Sequence, residues 1–282
     1  MKLNYINTSK VCMVNEQDGV SYVTFPKLAA YDRELIHGFS TRLGGVSKEH
    51  LSSMNLSFHR GDEAAAMMEN HRRFAKVLGY DEKKLVFSDQ VHLTNFYKVT
   101  KADCGKGIIR ESDIREVDGL VTDEPGVPIM TFYADCVPLF FYDPVKRVIA
   151  MAHSGWRGTV ERIGAKMVRF MGQEYGCESR NIVCAIAPSI CQSCYEVSAD
   201  VAEHFLKVFG SSYGDSLLYA KQNEKYQLNL HKACQITLLE AGIPEEHLDV
   251  TDLCTCCNPE FFFSHRASQG KRGNLAGVMM MR

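Results

Sequence analysis

Short runs rich in Val, Ile, Phe and Tyr, each ended by Gly, Pro or Asp, recur along this chain with helix-spaced apolar stretches between them. That mixture restricts the fold more than any other feature. The runs have strand length and strand composition, and they fall at residues 19–25, 85–91, 94–99, 119–121, 127–133, 139–142, 148–152, 182–186 and 277–281. Helical spacing marks 63–78, with Asp62 as its expected cap, and 159–175, 199–209 and 230–241. The order is too irregular for strict strand–helix alternation, so mixed sheets are expected in an α+β fold. No Pro/Gly/Ser-rich linker divides the chain, and one domain over residues 1–282 is expected.

A net charge of -2 gives no electrostatic footing for nucleic acid or an anionic membrane. No apolar run approaches the roughly 20 residues a bilayer span needs, and no secretory signal stands at the start, so a cytoplasmic location is expected. The 11 cysteines are then expected to be reduced, most of them as core filler.

Three apolar runs lead into chemically capable residues: 85–91 into His92, 129–133 into Ala134-Asp135-Cys136, and 148–152 into His153. Groups at strand ends are held rigidly at an open edge of a sheet. Two His and one Cys suit zinc, and three protein ligands leave the open position of a catalytic site. The same residues also allow a Cys136 nucleophile with His153 as its base. Around them, Arg42 beside Gly44-Gly45 suggests an anion-binding loop. Arg157, at the start of a helix after the lone Trp156, suggests a phosphate site or a guanidinium stacked on the indole. Asn55 and Asp118 read more readily as turn or cap residues than as catalytic ones. Cys191-x-x-Cys194 and Cys254-x-Cys256-Cys257 raise a second, structural zinc, but the latter spacing suits a zinc ribbon poorly, and buried or adjacent thiols are expected instead.

Seven segments occur in one order: His37-Gly-Phe-Ser-Thr-Arg-Leu-Gly-Gly-Val-Ser47, Gln90-Val-His92, Ala134-Asp-Cys-Val-Pro138, Ala152-His-Ser-Gly-Trp-Arg-Gly-Thr159, Ala187-Pro-Ser189, Cys194-Tyr-Glu-Val197 and Phe263-Ser-His-Arg266. Together they resemble the YfiH-like family, also called the laccase-domain or polyphenol oxidase family, from about residue 35 to the C-terminus. The resemblance implies a four-layer α+β fold with β-sheets between helices, similar to the catalytic domain of cytotoxic necrotizing factor toxins. It implies zinc on His92, Cys136 and His153. It also implies phosphorolysis of adenosine, inosine and methylthioadenosine, with adenosine deamination beside it. On that reading the partners are a purine nucleoside and phosphate. Arg42 and Arg157 are the expected phosphate ligands, Asn55 a further substrate contact, and Asp135 a proton shuttle or a partner of a ligand His. Cys191, Cys256 and Cys257 are additions to the family pattern. A copper polyphenol oxidase, a peptidoglycan-precursor editing hydrolase and a non-enzymatic zinc module are the alternatives. Substrate preference and oligomeric state stay open.

Overall fold

The computed structural model describes residues 2–282. Two six-stranded sheets and one three-stranded sheet carry its strands, and six α-helices lie among the described residues. The first sheet runs, in spatial order, Met13–Gln17, Val20–Thr24, Leu35–Ser40, Leu275–Met281, Ile129–Tyr133 and Val86–Phe87. The second runs Leu248–Val250, Val183–Ile186, Val137–Asp143, Val148–Ser154, Gly119–Thr122 and Phe96–Lys98. Each joins antiparallel pairs to parallel ones, for instance Val86–Phe87 alongside Ile129–Tyr133, so the expected mixed sheets are present.

Period-two burial stacks the layers. In the strand Val137–Asp143, Phe140 and Tyr142 join the core between the two sheets, while Leu139 and Phe141 join the core beneath the helices. Ile149 and Met151 likewise face the first sheet, and Val148, Ala150 and Ala152 face away from it. The helices Ile163–Tyr175, Ala199–Phe209 and Leu230–Glu240 pack on that far side through Met167, Phe205 and Leu238. The helix Ala64–Leu78 covers the outer face of the first sheet with Phe74, Ala75 and Val77 over Ile36, Met130 and Val278. The result is helix, sheet, sheet, helices: the four layers the resemblance implied. The N-terminal residues form the hairpin Met13–Gln17 with Val20–Thr24 at the edge of the first sheet.

Three local expectations are corrected. The run 85–91 is a strand only over Val86–Phe87; beyond it, side chains replace strand pairing. The Gln90 amide bonds both backbone groups of Phe132, and Asp118 takes the next N–H groups. The stretch 159–175 is two helices, Trp156–Val160 and Ile163–Tyr175, parted at Arg162, whose φ of 58° is left-handed. Asp62 does not cap the helix over 63–78 from the expected N-cap position, which Glu63 holds. Its carboxylate accepts instead from Ser47 Oγ, Asn55 Nδ2 and Glu63 N.

Candidate active site

The chain crosses from one sheet to the other between Tyr133 and Val137, in the three residues Ala134-Asp135-Cys136. So tight a crossing puts Asp135 at φ 84°, a region that costs a non-glycine residue energy. It delivers Cys136 to the open end of the sandwich, beside His153, the sixth residue of the strand Val148–Ser154. His153 lies on the face shared with Ile149 and Met151, and its ring stands 5.6 Å from that of Tyr133. His92 arrives from the loop after Val86–Phe87.

The donor atoms of His92, Cys136 and His153 all lie within 4.8 Å of one another. Cys136 Sγ is 3.8 Å from His92 Nε2, and the two imidazole centroids are 4.7 Å apart. Two features of the chain make this closeness possible. One is Gly155: a Cβ there would stand 2.7 Å from His92 Cδ2 and 3.3 Å from Cys136 Sγ. The other is Asp118, which is fully buried. Its carboxylate accepts from the N–H groups of Val91, His92 and Leu93 at 3.1, 3.0 and 2.7 Å. These bonds hold His92 in a left-handed conformation, φ 65°. The same carboxylate meets His153 Nδ1 at 2.8 Å. That contact orients the ring and turns Nε2 toward the cluster, as the outer partner of a metal-binding His does. His153 N also donates to the Asp118 carbonyl at 2.8 Å. Sequence reading passed Asp118 over as a turn residue, because its partners lie about 26 and 35 residues away and no local pattern announces them.

The electrostatics follow from this packing. Burial alone raises the Cys136 thiol, yet the charge and hydrogen bonds of His153, with those of His92, outweigh it and bring it down to about 6. Burial lowers His153, but the Cys136 charge and the Asp118 bond win and raise it to about 9. Burial would raise Asp118, while its bond to His153 holds it below the usual carboxylate range. A thiolate and two imidazoles with converging donors form a set that borderline-soft cations take, zinc above all. The residues therefore fit such an ion, by donor chemistry and by the tautomer that Asp118 imposes.

A cavity of about 1150 Å³ opens on this cluster, and His92, Cys136 and His153 all line it. It is large for a small-molecule site. Phe58, Phe87, Phe132 and Tyr195 supply apolar walls, and Arg60, Arg266 and Arg272 supply positive ones. Arg60 lies close to Arg272, to whose carbonyl its Nε donates at 3.1 Å. Burial lowers the Arg272 guanidinium to about 10, and the Arg60 charge adds to the effect. Arg272 Nε, Ser88 Oγ and Asn274 Oδ1 are buried without a partner, and all three residues line this one cavity. Buried polar atoms are nearly always bonded, so these three orphans set the surroundings of the cavity apart from the rest of the core.

The structure brings together the expected metal residues but not the expected substrate residues. Arg42 does not line the cavity. Its guanidinium donates to the Ser52 and Pro259 carbonyls at 2.7–2.9 Å and lies 4.8 Å from the Phe263 ring centroid. The glycine loop beside it spends its N–H groups internally, Gly45 on Ser53 Oγ and Val46 on Asn70 Oδ1, so it offers no anion nest. Arg157 is exposed and stacks on Trp156 at 4.4 Å, the packing alternative. Asn55 is fully buried and ties together Ser57, Asp62 and Asn274 without reaching the cavity itself. Asp135 lines the cavity but is not the partner of a ligand His, a place Asp118 holds. Its oxygens accept from Thr255 Oγ1 at 2.6 Å and Arg266 N at 2.7 Å.

Comparison with known proteins adds to this geometry. The family model described as multi-copper polyphenol oxidoreductase laccase matches residues 36–282. A Bacillus subtilis protein named purine nucleoside phosphorylase YlmD is 38% identical over 255 residues, which are 89% of this chain and 90% of that one. The crystal structure of YlmD from Geobacillus stearothermophilus superposes with a TM-score of 0.87 at 32% identity, over 96% of this chain and 99% of that one. The structure described as Bacillus licheniformis hypothetical protein YfiH gives 0.88 at 30% identity, over 95% and 99%. Among the described residues no helix is long and apolar enough to cross a membrane.

Proposed function

This chain belongs to the multi-copper polyphenol oxidoreductase laccase family, and on that footing we propose that it is a zinc-dependent purine nucleoside phosphorylase. Its substrates are adenosine, inosine and S-methyl-5'-thioadenosine, with adenosine deamination as a side activity. The observation that carries the reading is the sharing of one cavity by the His92–Cys136–His153 cluster and the Arg60–Arg272 wall. The names of the relatives in Bacillus support the same class.

In phosphorolysis a phosphate oxygen attacks C1′ of the ribose while the bond from C1′ to N9 breaks and the purine leaves with the electron pair. Arg272 and Arg60, side by side in the cavity lining, hold the phosphate. They take the role expected of Arg42 and Arg157. Phe58, Phe132 and Tyr195 stack against or enclose the base and keep water from the reacting carbon. Asp118 holds His153 and the 91–93 backbone fixed throughout. Zinc on His92, Cys136 and His153 would supply Lewis acidity toward the substrate.

The copper reading in the family description asks for several imidazole-rich sites. The one other cluster of metal-capable side chains among the described residues contains only cysteines. The deciding experiment incubates metal-loaded protein with adenosine, with and without phosphate, and separates the products by chromatography. Adenine and ribose 1-phosphate formed only with phosphate are expected, and both vanish in Cys136→Ala. Absence of phosphate-dependent base release overturns the phosphorylase reading, and copper content with oxygen uptake on a phenol replaces it.

A further inference from the structure

Behind the cavity wall lies a second group of side chains that the reaction does not use. The strands Val183–Ile186 and Leu248–Val250 run parallel and adjacent, so the loops leaving them emerge together. The bridge between Ser189 and Cys254 keeps them in register. One loop carries Cys191 and Cys194, and the other carries Cys254 and Cys257. Their four sulfur atoms lie within 4.8 Å of one another, with Cys194–Cys257 at 3.4 Å and Cys191–Cys257 at 3.8 Å.

These separations suit a shared cation. A tetrahedron of thiolates at the usual zinc–sulfur length of about 2.3 Å has edges of about 3.8 Å, whereas a disulfide requires about 2.05 Å between one pair. The backbone N–H groups of Cys191 and Cys257 point at Cys254 Sγ, at 3.2 and 3.4 Å. Such bonds favour the thiolate that a metal requires. Cys254 and Cys191 are buried, and Cys194 and Cys257 are partly so. Sulfur-only donors select zinc or iron over calcium, magnesium or manganese.

We propose that Cys191, Cys194, Cys254 and Cys257 bind a structural zinc ion, separate from the His92–Cys136–His153 cluster. Both arms are C-x-x-C pairs, the close spacing of structural sites. Cys256, inside the second arm, is not one of the four ligands, and taking it for one is what made the spacing look poor. The zinc knots two loops that grip the cavity. Ile190 N donates to the Asp135 carbonyl at 3.0 Å, Thr255 Oγ1 donates to the Asp135 carboxylate, and the Arg266 guanidinium donates to the Cys194 carbonyl at 3.1 Å. The ion thereby steadies Asp135 and Arg266 from behind.

The test is a metal count per chain on protein purified with zinc and without chelators. Two zinc ions are expected in the wild type, one in Cys136→Ala and one in Cys194→Ser. Because Cys194→Ser can fail to fold, the Cys136→Ala chain is also loaded with cobalt(II). There an all-thiolate site gives intense visible bands with sulfur-to-cobalt charge transfer, and chelation lowers the thermal midpoint. A Cys136→Ala chain that holds no zinc overturns the proposal. So does an intact mass lighter by two hydrogens for a disulfide among the four, or iron bound in place of zinc. None of these outcomes depends on nucleoside turnover, so failure here and failure of the phosphorylase reading are read separately.

Discussion

Gly155→Ala separates what the site needs from what the fold needs. The backbone there has φ -71° and ψ 173°, a conformation alanine adopts freely. Replacing glycine at such a position commonly stabilises a protein by about 0.4–1 kcal/mol, through the unfolded chain. The new methyl group, however, would stand 2.7 Å from His92 Cδ2. Carbon atoms rest about 3.5–4.0 Å apart, so the imidazole must retreat by about 1 Å. His92 is an exposed side chain on a loop, and the fold yields to that movement cheaply. The metal cluster does not, because ligand distances hold to within about 0.2 Å. The loss of zinc affinity should reach at least the roughly 10–100-fold seen when a ligand's outer hydrogen-bond partner is removed. Competition with a chromophoric chelator measures it, against Cys136→Ala as the reference for a lost site. Urea unfolding of the metal-free chains measures the other half. Unchanged zinc affinity would refute the reasoning, as would a fall in metal-free stability that matches the fall in affinity.

Asp118→Asn keeps the shape but leaves one acceptor oxygen for four donors, so zinc affinity should drop about 10–100-fold and the 91–93 segment should gain hydrogen-exchange rate; native protection there would count against its role. Arg272→Met should raise the KM for phosphate much more than that for nucleoside and leave zinc content unchanged, and steady-state kinetics with each substrate varied decides it. His37, His71 and His231 are buried and neutral, each pushed by burial down to about 4. The unfolded chain takes up those protons near pH 6.5 and the folded chain does not. Stability should therefore fall as pH drops from about 6.5 toward 4, at about 1.4 kcal/mol per pH unit for each His. Denaturant midpoints of metal-free protein that stay level across that window would contradict this.

The candidate metal residues were legible because apolar runs lead into all three; the runs before Cys136 and His153 are strands, whereas the run before His92 is strand only over Val86–Phe87. Mixed sheets were legible from strands interspersed with amphipathic stretches, while the four layers came from the family resemblance. The residues proposed to hold the substrate were not. Arg42 beside two glycines resembles an anion site, yet its acceptors are carbonyls of Ser52 and Pro259, the latter 217 residues away. Arg60 and Arg272 gave no local sign, since what distinguishes them is mutual proximity and a buried Nε without a partner. Asp118 was hidden for the same reason, as its meaning lies in four donors from two distant segments. The two cysteine clusters were visible in the sequence, but their convergence was not, since it depends on two loops that leave parallel strands side by side.

The pairing of Pro138 with His153 fixes more than a sheet. A slip of one position along that ladder would rotate every side chain of the strand to the opposite face and leave Ser154 where an imidazole belongs. A misregistered chain would then be inert rather than promiscuous. The hydrophobic alternation that buries Ile149 and Met151 thus doubles as quality control on the chemistry at the strand's tip.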